Sequence, residues 1–364
     1  MHLEFVSGHL IPLSTDISGG YPLPQHANRV TKRSMVAGIV ALAMVAAGCA
    51  KSPINPAPHT IEPARAAQSP PVGAAPAGQV LPLAGSPQAA AVDGATGSLV
   101  VFMPGADAAT LTVFGRSGPP RTVTLPGPAT AVADDGRGSA YAATRGGFFT
   151  VDLARGTSTT TTVEGQQGTD FTAIARRADG RMVLGSADGS AFTLADDNSV
   201  AGTADIFARV DAIVTQGNTA VVLDRAQTSV TELNLDGSPA LALRAGLGAT
   251  TMAADPLARV LVADTRGGQL LVFGVDPLME RQAYPVGGSP YGVAGSKTLV
   301  WVSLTATNTV VGYDLATGIP VEKVRYPTVQ QPNALAFDDT GDTLYVVSAT
   351  GGGVQVIRNA SGPR

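Results

Sequence analysis

Leu81-Pro82-Leu83-Ala84-Gly85-Ser86-Pro87 returns in altered form as Tyr284-Pro285-Val286-Gly287-Gly288-Ser289-Pro290. Each stretch leads into a short apolar segment, a turn and a second β-rich segment. The segment and its turn occur seven times, with a mean step of about 41 residues. The corresponding turn positions are Asp93, Asp134, Arg177, Gln216, Asp255, Gly295 and Asp338. The chain is therefore a sevenfold repeat.

Each repeat contains more than one short strand signal. Second strands rich in Val, Leu and Ala follow the turn, as in Leu99–Phe102 and Val260–Ala263, and a third follows a polar loop, as in Phe148–Leu153. Short strands with turn signals about every ten residues, in units near 40, are typical of propellers with four-stranded blades. The sequence predicts an all-β, seven-bladed β-propeller, with Trp301 packed between blades.

The two ends of the repeat region complement each other. The last repeat begins at Pro332 and has room for only three strands. An extra strand, Gln79–Leu83, precedes the first repeat and matches the outer strand before Ser289. We predict that it completes the last blade and closes the ring, which removes an open edge. An open β-sandwich, or two smaller domains, is the alternative.

A basic pair and an apolar run precede the only cysteine. Lys32 and Arg33 are followed by Met35–Ala47 and then Gly48-Cys49. An apolar helix of this length covers roughly 20 Å, less than the ~30 Å hydrocarbon core, so a spanning helix is disfavoured. The pattern predicts a bacterial lipoprotein signal over residues 30–48, with Cys49 lipidated. An ordinary secretory signal, with Cys49 a free thiol, is the alternative.

The segments around this signal differ in composition. Residues 1–29 lack a basic run and are predicted to be an upstream extension that is not in the mature protein, with translation starting at Val30. Residues 49–78 are rich in Pro and Ala and predict an extended tether before a propeller of residues 79–364. The lipid anchor would hold the protein on the outer face of the cytoplasmic membrane.

Residue inventory excludes several functions for residues 79–364. All four histidines and the cysteine precede this region. Ser-His-Asp and Cys-His nucleophile systems are therefore excluded, as are zinc and copper sites built on His or Cys. The region has 19 basic and 25 acidic residues, which does not resemble the basic surface of a nucleic-acid binder. The sequence predicts no cofactor and no nucleic-acid partner.

One face of a propeller collects the loops that surround its channel mouth. Two of these loops are near-copies, Arg145-Gly146-Gly147 and Arg266-Gly267-Gly268, and arginine beside glycine suits carboxylate or phosphate groups. The alternative is that such residues pair across blades and that the glycines only form tight turns. The residues mapped to this face as ligand-binding candidates are Arg145, Asp170, Arg209, Asp211, Asp224, Arg225, Asp264, Arg266, Gln330, Gln331 and Asn333.

Three stretches carry a family resemblance. They are Thr169–Arg177, Asp264–Val272 and Val324–Asn333. The repeats resemble those of YVTN/NHL-type bacterial propellers. Together with Cys49 and the tether, they resemble the LppL-type lipoproteins of mycobacteria. The resemblance implies an envelope lipoprotein and assigns no chemistry.

Two functions are predicted from this inventory. The first is a non-catalytic binding or scaffold propeller for an envelope protein or a small ligand. The alternative is an enzyme resembling metal-dependent, calcium-type lactonases, with Asp170, Asp211 and Asn333 as metal ligands. Acidic turns on the opposite face, such as Asp134-Asp135-Gly136, offer a calcium interpretation too, although ordinary hairpins have the same composition.

Overall fold

The computed structural model describes residues 59–362, and every regular element in this range is a β-strand. The predicted upstream extension, signal and lipidated Cys49 lie outside the described residues. No helix in the described range is long and apolar enough to cross a membrane. The strands form seven four-stranded antiparallel sheets, which are the seven predicted blades.

One strand precedes the blades, and the first three blades follow in chain order. The leading strand is β1 (Gln79–Leu81). Blade 1 contains β2 (Ala89–Asp93), β3 (Ser98–Met103), β4 (Thr110–Phe114) and β5 (Arg121–Thr124). Blade 2 contains β6 (Ala131–Asp134), β7 (Ser139–Thr144), β8 (Gly147–Asp152) and β9 (Thr157–Thr162). Blade 3 contains β10 (Phe171–Arg176), β11 (Met182–Ser186), β12 (Ser190–Leu194) and β13 (Val200–Asp205).

The next three blades repeat this order, and the seventh has three strands of its own. Blade 4 contains β14 (Ala212–Gln216), β15 (Thr219–Asp224), β16 (Ser229–Leu233) and β17 (Pro239–Arg244). Blade 5 contains β18 (Ala249–Ala254), β19 (Arg259–Asp264), β20 (Gln269–Gly274) and β21 (Met279–Pro285). Blade 6 contains β22 (Pro290–Gly295), β23 (Val300–Leu304), β24 (Thr309–Asp314) and β25 (Val321–Pro327). Blade 7 contains β26 (Pro332–Asp338), β27 (Thr343–Ser348) and β28 (Val354–Arg358).

The ring closes as the sequence predicts. Strand β1 pairs with β28 in the order β1-β28-β27-β26, with Val80 opposite Gln355. Gln355 is fully buried, and its Nε2 donates to the carbonyl oxygens of Ala77 (2.8 Å) and Pro327 (2.9 Å). Its Oε1 accepts from the N–H of Val329 at 3.1 Å. A buried amide thus joins the segment before β1 to blades 6 and 7.

The core lies between the blades. Successive side chains of a strand point to opposite faces of the sheet. Each blade therefore packs against one neighbouring blade on each of its two faces. In β7, Ala140 and Ala142 pack toward blade 1, whereas Tyr141 and Ala143 pack toward blade 3. Seven apolar clusters result in the described range, one for each pair of neighbouring blades.

Trp301 lies between blades 6 and 7, as expected for packing between blades. Its ring stacks on Phe337 with centroids 5.6 Å apart and planes 20° apart, and Tyr326 lies on a second side at 6.5 Å. The side chain is wholly buried, and its Nε1 has no hydrogen-bond partner. The indole therefore contributes packing and no hydrogen bond.

Candidate ligand site at the channel mouth

The innermost strands surround a central channel with a volume of about 690 Å³. In each blade, one residue at or just before the start of the innermost strand lines the channel. Six of these seven residues are polar, and the seventh is tyrosine. We call this set the mouth ring. Its members are Gln88, Thr130, Thr172, Asp211, Thr250, Tyr291 and Asn333.

The lining becomes apolar two residues further along each inner strand. The residues at this second level share an aliphatic or thioether side chain. They are Ala90, Val132, Ile174, Ile213, Met252, Val293 and Leu335. The channel therefore offers side-chain hydrogen bonds at its mouth and apolar contact below it.

Threonines of the mouth ring also connect neighbouring blades. Thr130 Oγ1 donates to the carbonyl of Phe171 on the next blade at 2.6 Å, and Thr172 Oγ1 donates to the carbonyl of Val210 at 2.5 Å. These hydroxyl protons are committed to the fold. Each hydroxyl oxygen still has lone pairs that can accept from a ligand.

Asp211 and Arg225 are the only charged residues that line the channel within the described range. Asp211 Oδ1 lies 3.2 Å from Arg209 Nε, and its Oδ2 accepts from the N–H of Arg225 at 2.8 Å. Burial raises the pKa of Asp211, against the opposing effects of this hydrogen bond and of the two arginine charges. Arg225 donates through Nη2 to the carbonyl of Ala64, whereas its buried Nε has no partner. The mouth thus holds one carboxylate and one incompletely bonded guanidinium.

Asp224 and Asp264, which were also predicted as ligand-binding residues, accept hydrogen bonds from loop backbone. Asp264 is fully buried and accepts three backbone N–H bonds, from Gly248 (2.8 Å), Gly267 (2.9 Å) and Leu247 (2.9 Å). Asp224 is also fully buried and accepts three backbone N–H bonds in the equivalent loops of blade 4. Both carboxylates therefore hold loop backbone in place, which is a structural role different from the pairing across blades that was the alternative.

The two Arg-Gly-Gly loops have different partners. Arg145 forms an exposed ion pair with Asp170, with Nη1 and Oδ1 2.9 Å apart. Arg266 Nη2 donates to the carbonyl of Glu62 at 2.6 Å. A Cβ on Gly267 would lie 1.9 Å from a carboxylate oxygen of Asp264, so the loop cannot accept a larger residue without moving. The glycines therefore form tight turns, and each arginine already has an oxygen partner.

Predicted residues from blade 7 contact the segment that precedes the propeller. Gln331 Oε1 accepts from the N–H of Ser69 at 3.0 Å. Gln331 Nε2 donates to the carbonyl of Ala67 (3.0 Å) and to Asn333 Oδ1 (2.9 Å). Gln330 Nε2 donates to the carbonyl of Ser69 at 3.2 Å. The structure thus brings these amides together around a peptide backbone.

The segment 59–78 contains no helix or strand, and part of it lies on the mouth face. It contacts loops of blade 4 near Ile61 and loops of blades 6 and 7 near Ser69. We call residues 61–70 the strap. The sequence predicts an extended tether over 49–78, and within it the strap and Ala77 are hydrogen-bonded to the propeller. Residues 49–58 lie outside the described range.

The alternative metal ligands have separate surroundings. Asp211 precedes β14 of blade 4 and Asn333 lies in β26 of blade 7, and these blades are not neighbours in the ring. Asp170 is paired with Arg145. Among residues 59–362, no group of three or more His, Cys, Asp or Glu side chains is arranged to hold a metal ion.

On the opposite face, the predicted acidic turns form hairpins. Asp135 Oδ1 accepts from the N–H groups of Arg137 (2.9 Å) and Ser139 (3.0 Å). Burial raises the pKa of the neighbouring Asp134 to about 6, and the charges of Asp93 and Asp135 add to this effect. The N–H of Gly136 donates to Asp134 Oδ1 at 3.0 Å, and this hydrogen bond lowers the pKa in opposition to burial. Asp134 is therefore a carboxylate that the fold holds ionised at a cost.

Replacing Asp134 with asparagine should stabilise the protein at neutral pH. The folded-state pKa of about 6 exceeds the ordinary aspartate pKa of 3.8. The native state therefore binds more protons between these values, and stability falls as pH rises through this window. We expect Asp134→Asn to raise the free energy of unfolding by about 2 kcal/mol at pH 7 and to leave it nearly unchanged at pH 4.

Urea unfolding at both pH values measures this effect. The matched control is Asp179→Asn in the corresponding hairpin of blade 3. Burial acts to raise the pKa there too, but the hydrogen bonds from Arg181 hold the pKa of Asp179 below its usual value, so this change should not stabilise the protein at pH 7. Equal pH dependence of stability in Asp134→Asn and the unchanged chain would contradict the prediction.

Comparison with known proteins shows the fold. No protein-family model matches the sequence, and no curated protein matches it. Among solved structures, a chain of Kuenenia stuttgartiensis hydrazine synthase is 14% identical with a TM-score of 0.61, covering 79% of this chain and 99% of its own. Virginiamycin B lyase from Staphylococcus aureus is 13% identical with a TM-score of 0.62, covering 75% and 96%. This chain is a seven-bladed β-propeller similar in structure to both.

The similarity extends to proteins with other roles. A chain of the mitotic checkpoint complex is 11% identical with a TM-score of 0.63, covering 84% of this chain and 98% of its own. Enzymes and assembly components therefore share this architecture, and at such identities the likeness concerns the fold alone.

Sequence reasoning did not find most of the mouth ring or the strap contacts. Thr130, Thr172 and Thr250 recur at the step of the repeat, immediately before or at the start of each inner strand. Aligning the seven repeats at that position would have found the ring. Nothing local in the Pro-rich segment indicates that Ala64 and Ser69 are buried against the propeller.

Proposed function

We propose that this chain is a lipid-anchored, non-catalytic propeller of the bacterial cell envelope that binds an envelope component or a protein partner at its channel mouth. The mouth ring carries this proposal, because it places polar groups from all seven blades around one opening. Within the described residues, Asp211 and Arg225 are the charged side chains that line this channel. The carboxylate of Asp211 suits a ligand donor, and the guanidinium of Arg225, which also lines the channel, suits a ligand acceptor.

The envelope location in this proposal is supported by the sequence. The basic pair, short apolar run and Cys49 resemble a lipoprotein signal, and the repeats resemble LppL-type mycobacterial lipoproteins. Ten residue steps separate Cys49 from His59, and an extended chain of this length spans at most about 35 Å. The anchor would therefore keep the mouth face near the outer surface of the cytoplasmic membrane.

A lyase reaction does not form part of the proposal. One of the similar structures is a catalytically inactive histidine-to-alanine variant of virginiamycin B lyase with quinupristin. The region 79–364 of this chain has no histidine. The metal-dependent hydrolase alternative is tested by the divalent-ion arm of the experiment below.

The proposal is tested by thermal unfolding of the full chain in the presence of envelope-extract fractions, with and without divalent ions. A ligand at 100 times its Kd adds about 2.7 kcal/mol, so at least one ion-free fraction should raise the Tm. The double variant Asp211→Asn, Arg225→Ala should lose this rise, whereas Arg145→Ala, on an exposed pair away from the channel lining, should retain it.

Each other outcome has a definite meaning. A rise produced by divalent ions alone would favour the hydrolase alternative. A rise that survives in the double variant would place the ligand away from the mouth ring. No rise with any fraction would exclude a small envelope ligand at this site.

A further inference from the structure

The strap is held mainly through its main chain. At its first end, Arg266 Nη2 donates to the carbonyl of Glu62 at 2.6 Å, and Arg225 Nη2 donates to the carbonyl of Ala64. The N–H of Ile61 donates to a loop carbonyl of blade 4 at 2.8 Å. These bonds recognise the main chain of an extended segment and do not depend on its side chains.

The second end of the strap is held in the same way. Gln331 accepts from the N–H of Ser69 and donates to the carbonyl of Ala67, both at 3.0 Å. Asn308 Nδ2 donates to the carbonyl of Pro70 at 2.8 Å. Blades 4 to 7 therefore present a row of amide and guanidinium groups that matches an extended peptide.

Two side chains of the strap are buried, and they are five residues apart. Ala64 is 7% exposed and Ser69 is 5% exposed, with Ser69 Oγ donating to the carbonyl of Thr305 at 2.6 Å. Between and beside them the side chains of Glu62 and Arg65 are 81% and 83% exposed. The groove thus selects small residues at two positions and tolerates charged ones elsewhere.

The strap contacts residues that line the channel or bond to the mouth ring. Arg225 lines the channel, and Gln331 bonds to the mouth-ring residue Asn333. A tethered segment docks at an effective concentration in the millimolar range, so it needs little intrinsic affinity and can be displaced by a better ligand. Main-chain recognition also means that another extended peptide can make the same bonds.

We propose that the mouth face is a groove for an extended peptide with a small residue five positions before a Ser-Pro pair, and that the strap is its built-in occupant. A partner segment with this pattern replaces the strap on blades 4 to 7. The inference rests on the proposed function only in placing binding at the mouth face, and it does not require lipidation of Cys49.

The experiment measures trypsin cleavage after Arg65 in the full chain. Cleavage of a docked segment follows the population of its open form. The probe is a synthetic peptide of residues 59–72 carrying Arg65→Gln, so that trypsin does not cut it. Above the millimolar effective concentration of the strap, we expect this peptide to accelerate cleavage about tenfold. The control peptide carries Ala64→Glu and Ser69→Glu in addition and should leave the rate unchanged.

A second measurement uses a chain with an opened groove. The full-chain variant Ala64→Glu, Ser69→Glu should bind the fluorescently labelled 59–72 peptide at least about tenfold more tightly than the unchanged chain, because its own strap no longer competes. Gln331→Ala in that variant should weaken the binding. The variant's Tm, compared with that of the unchanged chain, reports whether the propeller is folded.

Three results would overturn the inference. They are equal effects of the two peptides on cleavage, cleavage after Arg65 in the unchanged chain as fast as in the free peptide, and no tighter peptide binding by a folded opened variant. An envelope fraction that raises the Tm while the peptide has no effect would overturn this inference and leave the proposed function intact. A peptide effect without any stabilising fraction would support this inference and exclude a small envelope ligand at the mouth.

Discussion

Replacing Asp264 with alanine is expected to lower the free energy of unfolding by about 3–5 kcal/mol. Its side chain is wholly buried, and its two oxygens accept the N–H groups of Leu247, Gly248 and Gly267. Truncation leaves these three donors without a partner at the junction of blades 4 and 5. Each unsatisfied buried donor costs about 1–3 kcal/mol, less whatever water recovers.

The matched control is Asp170→Ala. Asp170 was predicted to lie on the same face, but its pair with Arg145 is exposed, and such pairs contribute about 0–1 kcal/mol. Urea unfolding followed by Trp301 fluorescence compares the two variants. Asp264→Asn keeps an acceptor oxygen and should fall between them. Equal losses for Asp264→Ala and Asp170→Ala would show that the buried carboxylate does not hold these loops.

The second large effect is expected for Trp301→Ala, which should lower the free energy of unfolding by about 4 kcal/mol. The indole fills the space between blades 6 and 7 and stacks on Phe337 and Tyr326. Gly312 lies against it, since a Cβ there would come within 2.9 Å of the indole ring. The residues around it are held by a ring of blades and cannot collapse freely into the cavity.

Trp301→Phe separates packing from hydrogen bonding. The phenyl ring keeps part of the stack, and no hydrogen bond is lost because Nε1 has no partner. We expect a loss of about 1–2 kcal/mol, measured by urea unfolding with far-UV circular dichroism because the fluorophore is gone. A loss for Trp301→Phe as large as that for Trp301→Ala would mean that the indole nitrogen has a role that the structure does not show.

The propeller architecture could be predicted from local sequence patterns, because the same strand pattern occurs seven times along the chain. Leu99–Phe102 and Val260–Ala263 were predicted as second strands and lie in β3 and β19. The pairing of β1 with β28 was predicted because one end of the repeat region lacked a strand and the other had one extra. Closing a ring of blades satisfies both ends, which is why sequence alone led to this fold.

The candidate site was less accessible to the same reasoning. Asp211 and Asp264 both flank blade strands and were selected by the same rule, yet the first lines the channel and the second accepts three loop N–H groups. Which way a carboxylate faces depends on the path of loops from the neighbouring blade. Packing between blades sets the path of these loops, and the residues next to the carboxylate in the sequence do not predict it.

The sequence by itself determined the number of blades, the closing strand, and the absence of histidine and cysteine from the propeller. These properties depend on composition and on short-range periodicity, which a single chain displays directly. Only the tertiary structure decided that residues 61–70 lie on the mouth face. Their partners, such as Arg266 for Glu62 and Gln331 for Ser69, are separated by 204 and 262 positions in the chain. A proline-rich segment has the same composition whether it is docked or free, and only the surface brought together by blades 4 to 7 distinguishes the two.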